Sequence, residues 1–268
     1  MRFLLVAVVV GLSASVAAAS LIAADDASNA VYNSGWGTGS NGGTNFGAWT
    51  MQSSGGSGGF AGTFTDNGPA GDDQISVGNK SWGTFANGSS DFQAAIAYRG
   101  WSQPLSVGQS FKVSMDNGGI QNSETVAGSA GFSLRNGNAS ANTGDYNNNE
   151  RFEFYFVGGD SNYHIADAGG AFDTGIGFTN QGLDFTFTLT GTDTYDLSVF
   201  RRESSQTFNF TGRTLNTAAG SSIDSVALFN RNTEQGNVYF NSMSIVPEPA
   251  SMGLLALAGL MVARRGRR

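Results

Sequence analysis

Large apolar side chains recur at every second position along this chain, in short runs broken by Gly, Asn, Asp and Ser, and that period confines it to half-buried β-strands. Phe111, Val113 and Met115 alternate with Lys112, Ser114 and Asp116. Leu183, Phe185, Phe187 and Leu189 alternate with Asp184, Thr186 and Thr188, turn at 190–193, and return through Tyr195, Leu197 and Val199. Within 151–157, Phe152, Phe154 and Phe156 share one face, while Arg151, Glu153, Tyr155 and Val157 share the other. The same reading places strands at 46–51, 59–65, 81–86, 92–99, 131–134, 163–166, 208–210, 226–229 and 238–245. The Gly/Ser stretch 53–58 reads as a hairpin loop between the first two.

Strands this short and closely spaced imply an all-β fold, two antiparallel sheets packed face to face in a β-sandwich of the jelly-roll type. No repeat of the kind that builds propellers or β-helices is present. Thirty-nine glycines among 268 residues would suit a disordered chain, but 20 Phe, seven Tyr and four Trp are too much apolar surface to leave in water. Phe111, Phe154, Phe185, Phe187 and Phe240 are the expected core. There is no cysteine, which excludes disulfides, thiolate catalysis and Cys-ligated zinc.

The two ends read differently from the body. Met1-Arg2, the apolar run 3–12 and Ala17-Ala18-Ala19 make a secretory signal peptide over 1–19, an N-terminal helix cleaved before Ser20, with Ala24/Asp25 as a later option. At the other end stand Pro247-Glu248-Pro249, a Leu/Ala/Met-rich run, and Arg264, Arg265, Arg267 and Arg268. The proline pair ends any strand or helix, and the run continues as a hydrophobic helix. From residue 250 to 263 it spans about 21 Å, short of the roughly 30 Å of hydrocarbon, and the arginines belong on the cytoplasmic side.

This tripartite tail, 247–268, resembles the PEP-CTERM sorting signal of exported bacterial proteins. That resemblance implies an exosortase-type processing enzyme as a partner, transient residence in the inner membrane through the C-terminal helix, and then a place at the cell surface or in the extracellular matrix. A GPI signal would end in its hydrophobic segment without arginines. Setting aside Arg2 and the four tail arginines leaves nine of 14 Lys and Arg against 20 or 21 acids, so the exported part is strongly acidic. Such a surface repels nucleic acid.

The body, expected over 25–246, is similar in strand pattern to concanavalin-A-like and laminin-G-like sandwiches, most clearly in its closing run 238–245. Some relatives of that architecture are glycosidases with Glu-x-Asp-x-x-Glu on one strand. Here the nearest match is Glu150-Arg151-Phe152-Glu153, where odd spacing puts the two acids on opposite faces of a regular strand. The only histidine is His164, and the one Gly-x-Ser-x-Gly spacing, at 55–59, falls in the Gly/Ser loop rather than at a strand-to-helix elbow, so neither a triad nor a two-His metal site is expected.

Two sets of residues are binding candidates. Trp36, Trp49, Trp82 and Trp101 lie beside Gly/Asn/Ser-rich loops, and one or two left exposed would stack on sugar. Asp66, Asp72 and Asp73 in one loop, and Asp145 with Asn147, Asn148 and Glu150 in another, are hard oxygen donors suited to structural calcium, although turns use the same residues. The expectation is therefore a non-enzymatic surface or matrix protein needing no cofactor. Its alternative is a lectin-like module for extracellular polysaccharide, and a glycoside hydrolase ranks third.

Overall fold

The computed structural model describes residues 21–55, 61–66, 75–87, 93–120, 128–137, 148–216, 220–233 and 236–247. The signal peptide, Glu248, Pro249, the four tail arginines, Asp72, Asp73 and Asp145 lie outside the described residues. In chain order the strands are β1 (Ala23–Asp25), β2 (Thr50–Ser54), β3 (Ala61–Asp66), β4 (Ser81–Ala86), β5 (Ala94–Gly100), β6 (Ser110–Asn117), β7 (Ser129–Arg135) and β8 (Glu150–Val157). They continue with β9 (Asn162–Asp167), β10 (Gly170–Gly177), β11 (Leu183–Leu189), β12 (Thr194–Arg201), β13 (Gln206–Thr214), β14 (Ser225–Arg231) and β15 (Asn237–Val246). A short 3-10 helix, Ala30–Ser34, follows β1.

One sheet runs β13-β12-β11-β6-β15-β4-β3, with β1 added beside β15, and the other runs β10-β9-β8-β7-β14-β5-β2. Every pairing is antiparallel among the described residues. The core sits between the sheets because alternation aims the aromatic residues there. In β11 Leu183, Phe185, Phe187 and Leu189 are buried and the residues between them are not. Phe185 meets Phe132 of β7 at 5.1 Å and Phe154 of β8 at 4.6 Å, and Phe187 meets Phe152 at 5.1 Å. Each such pair contributes about 0.5–1.5 kcal/mol beyond the area it buries. Phe111 and Phe240 are buried in the same core.

Four features depart from the regular reading. The strands on either side of the expected hairpin do not pair with each other, because β2 pairs with β5 in one sheet and β3 with β4 in the other. β10 was not expected, because residues 170–173 are exposed and carry no apolar alternation. The sandwich begins before residue 25, at β1. Lastly, β8 carries a bulge: Leu134 faces Phe152 while Arg135 faces Glu150, so Arg151 is the extra residue.

Candidate functional site

All four tryptophans are in the core, which corrects the expectation that one or two would stand exposed. Residues 30–49 fold back onto the sandwich, and their aromatic rings cover one another. Trp36 meets Trp49 edge-on at 5.1 Å, Trp49 meets Trp82 at 5.3 Å, and Tyr32 meets Trp82 at 5.6 Å. Trp101 lies apart from this group, stacked on Phe111 at 5.7 Å and edge-on to Phe46 at 6.2 Å. Its exposure of 8% is the largest of the four, and it borders an open groove.

That groove, about 430 Å³, is lined by Asn45, Phe46, Gly47, Gly100, Trp101, Ser102 and Asp224. Its walls are tied together by the backbone. Phe46 and Trp101 form an isolated antiparallel bridge, Gly47 N–H donates to Gly100 O at 2.8 Å, and Trp101 N–H donates to Asp224 O at 3.0 Å. A Cβ on Gly47 would meet Gly100 O at 3.3 Å, so this close crossing favours glycine. The Asp224 carboxylate accepts the Gly137 N–H at 2.6 Å, and Asn45 donates its side-chain amide to Ile22 O at 2.6 Å. An asparagine, a serine and an aspartate thus line one opening together with two aromatic residues. Such a combination suits a small ligand with alternating apolar and hydroxyl surface.

Arg99 holds the groove from inside. It is fully buried on the inward face of β5, donates Nε–H to Gly47 O at 2.8 Å and Nη2–H to Gly42 O at 2.7 Å, and pairs through Nη1 with Asp25 at 2.5 Å. Its guanidinium lies 4.9 Å from the Phe46 ring and 4.8 Å from Trp49. Tyr32 donates its hydroxyl to Asp25 and accepts from Trp49 Nε1–H at 3.0 Å, and burial pushes its phenol up to about 12. A buried ion pair is tolerable only when its remaining hydrogen-bonding groups are met in this way.

The acidic candidates sort differently. The β8 bulge turns Glu150 to the side of Glu153, so the two carboxyl groups meet despite their odd spacing, which corrects the opposite-face expectation. Burial pushes Glu153 well above the usual carboxylate range, and the hydrogen bond to Glu150 and that residue's charge act in the same direction. Glu150 also accepts from Asn216 at 3.2 Å. His164 sits on β9 with Asp160 at 2.8 Å and its ring stacked on Tyr155 at 5.4 Å. Among the described residues no group of three or more His, Cys, Asp or Glu is placed to hold a metal ion. Asp66 ends β3, facing Ser81, rather than sitting in a loop. Also among the described residues, no helix is long and apolar enough to cross a membrane.

No family model matches the chain, and no curated protein does. Solved structures similar in fold include the globular domain of T. cruzi calreticulin, at TM-score 0.46 and 10% identity over 75% of this chain and 85% of that one. Lectin UEA-II complexed with galactose aligns at TM-score 0.42 and 10% identity over 80% and 97%, and the Ca2+-bound exoplasmic/lumenal domain of VIP36 at 0.41 and 6% over 74% and 83%. Similarity at this level concerns the sandwich alone.

Proposed function

We propose that this protein is an exported, non-catalytic carbohydrate-binding module that takes neutral glycan in the Trp101 groove. The groove is the observation that carries the proposal: an opening of about 430 Å³ lined by Phe46 and Trp101 together with Asn45, Ser102 and Asp224. The chain's formal charge of −7 disfavours anionic polymers. The non-catalytic part of the proposal rests on the sequence, which has a single histidine and no Glu-x-Asp-x-x-Glu. Export and tail processing rest on the leader and on Pro247-Glu248-Pro249. A matrix protein with no ligand is the second reading, favoured by the burial of Trp36, Trp49 and Trp82.

A glycan array probed with the exported protein tests binding. Retention on neutral polysaccharide supports the module, and a blank array leaves the matrix protein. Intact-mass analysis of surface-released protein tests the tail. A chain ending near Pro247 in the host, and ending at Arg268 when the exosortase is deleted, is the expected pair of results.

A further inference from the structure

We propose that Glu150 and Glu153 form a proton-operated latch, which holds the β8 bulge against the 215–224 connection while they share a proton and loosens the wall of the Trp101 groove when that proton leaves. Its consequence for a ligand rests on the function proposed above; the latch itself does not.

Two carboxyl groups hydrogen-bond to each other only when one of them carries a proton. This pair lies on the outer face of the seven-stranded sheet. Glu153 faces Ser133 of β7 and Ala166 of β9, and Glu150 faces Arg135 of β7. The Arg135 guanidinium lies 4.9 Å from the Tyr98 ring of β5, and its Nε–H and Nη2–H donate to Asn148 O at 3.1 and 2.7 Å. On β9, His164 is held by Asp160 at 2.8 Å and stacks on Tyr155 of β8. Arg231 of β14 is the cation that favours the ionised form of Glu153. Burial first, and Glu150 second, outweigh it and keep the proton on Glu153 well above the usual carboxylate range.

The bulge beside the pair joins both sheets to the connection between β13 and β14. Arg151, its extra residue, is fully buried and reaches Asp193, in the turn between β11 and β12 of the other sheet, at 2.5 Å. Asn216 N–H donates to Arg151 O at 2.8 Å, and its side-chain amide donates to Glu150 at 3.2 Å. The connection ends at Asp224, whose N–H donates to Arg135 O and whose carbonyl accepts from Trp101 N–H, both at 3.0 Å. Glu150 is therefore linked to the groove along the connection through Asn216 and across the sheet through Arg135. Loss of the shared proton leaves two negative charges facing each other. Glu150, the more exposed of the two, then turns to water and releases Asn216. The latch is closed at low pH and opens as pH rises, because the folded pair binds its proton more tightly than the unfolded chain does.

Amide hydrogen exchange of the exported protein, compared as protection factors from about pH 5 to about pH 9, tests this. In the wild type, protection at Asn216, Asp224 and Trp101 should fall by up to about tenfold per pH unit, the most that one proton allows, while β11 and β12 keep theirs. Glu153→Gln and Glu150→Gln should each hold all three amides at the low-pH level, since a single charge has no partner to repel. Protection independent of pH in the wild type overturns the latch. A loss that persists in Glu150→Gln overturns it too, because Glu153 would then act alone. For a neutral oligosaccharide retained on the array, wild-type affinity should fall over the same pH range and that of Glu153→Gln should stay level. Level affinity in the wild type beside falling protection overturns the effect on ligand, whereas a blank array overturns the binding reading and leaves the latch to be judged by exchange.

Discussion

Replacing Glu153 by Gln should stabilise the sandwich at neutral pH and flatten its dependence on pH. Glu153 is 7% exposed on the outward face of β8. Burial raises its pKa well above the ordinary 4.5, the hydrogen bond to Glu150 and the negative charge of Glu150 add to the rise, and Arg231 opposes it. The folded protein therefore holds this proton more tightly than the unfolded chain. Its contribution to stability is complete below about pH 4.5 and is lost as pH rises through the folded value. One such group gives a slope of about 1.4 kcal/mol per pH unit across that window. Gln keeps the shape and a donor for Glu150 but cannot ionise. The wild type should thus fall behind the variant by about 1.4 kcal/mol for each pH unit traversed, then run parallel to it. Urea unfolding of both proteins from about pH 4 to about pH 8 at fixed ionic strength measures this difference directly. Parallel curves throughout, or a variant less stable than wild type at the alkaline end, would refute the reasoning.

Other perturbations follow from the packing. Phe185→Ala should cost about 3–5 kcal/mol in urea unfolding, because the ring is enclosed by Phe132 and Phe154. A loss below about 1 kcal/mol would mean that β11 presents its other face to the core. Arg99→Met should cost about 3–5 kcal/mol by stranding the Asp25 carboxylate, and adding Asp25→Asn should recover part of that. If the double variant is no better than the single, the pair is not the source of the cost.

Strands β9, β11 and β12 were legible because each has one wetter face, which period two reports directly, whereas β5, β7 and β14 are buried on both faces and show in the sequence as short apolar runs. Phe185 and Phe187 of β11 and Phe152 and Phe154 of β8 are buried where alternation put them. What escaped depends on partners distant in sequence. A bulge such as that at Arg151 exists only relative to β7, so the meeting of Glu150 with Glu153 is invisible in their spacing. β2 and β3 look like a hairpin until each is seen to pair in a different sheet. β1 and the Arg99–Asp25 pair were hidden in a stretch read as leader boundary, and no local signal marks an arginine that will face inward. The site was half legible. Trp101 was a candidate, yet Asn45, Phe46, Ser102 and Asp224 converge on it only through the fold. Composition drew attention to Trp36, Trp49 and Trp82, which serve as one another's core.

The most direct measurement is a titration of tryptophan emission with a neutral oligosaccharide retained on the array, for the wild type and for Ser102→Arg. Ser102 is exposed and borders the groove without belonging to the core, so a bulky side chain there should fill the opening and leave unfolding by urea unchanged. The account predicts a saturable change in emission for the wild type and its loss in the variant. Equal binding by both proteins, or no change with any neutral glycan, would contradict it.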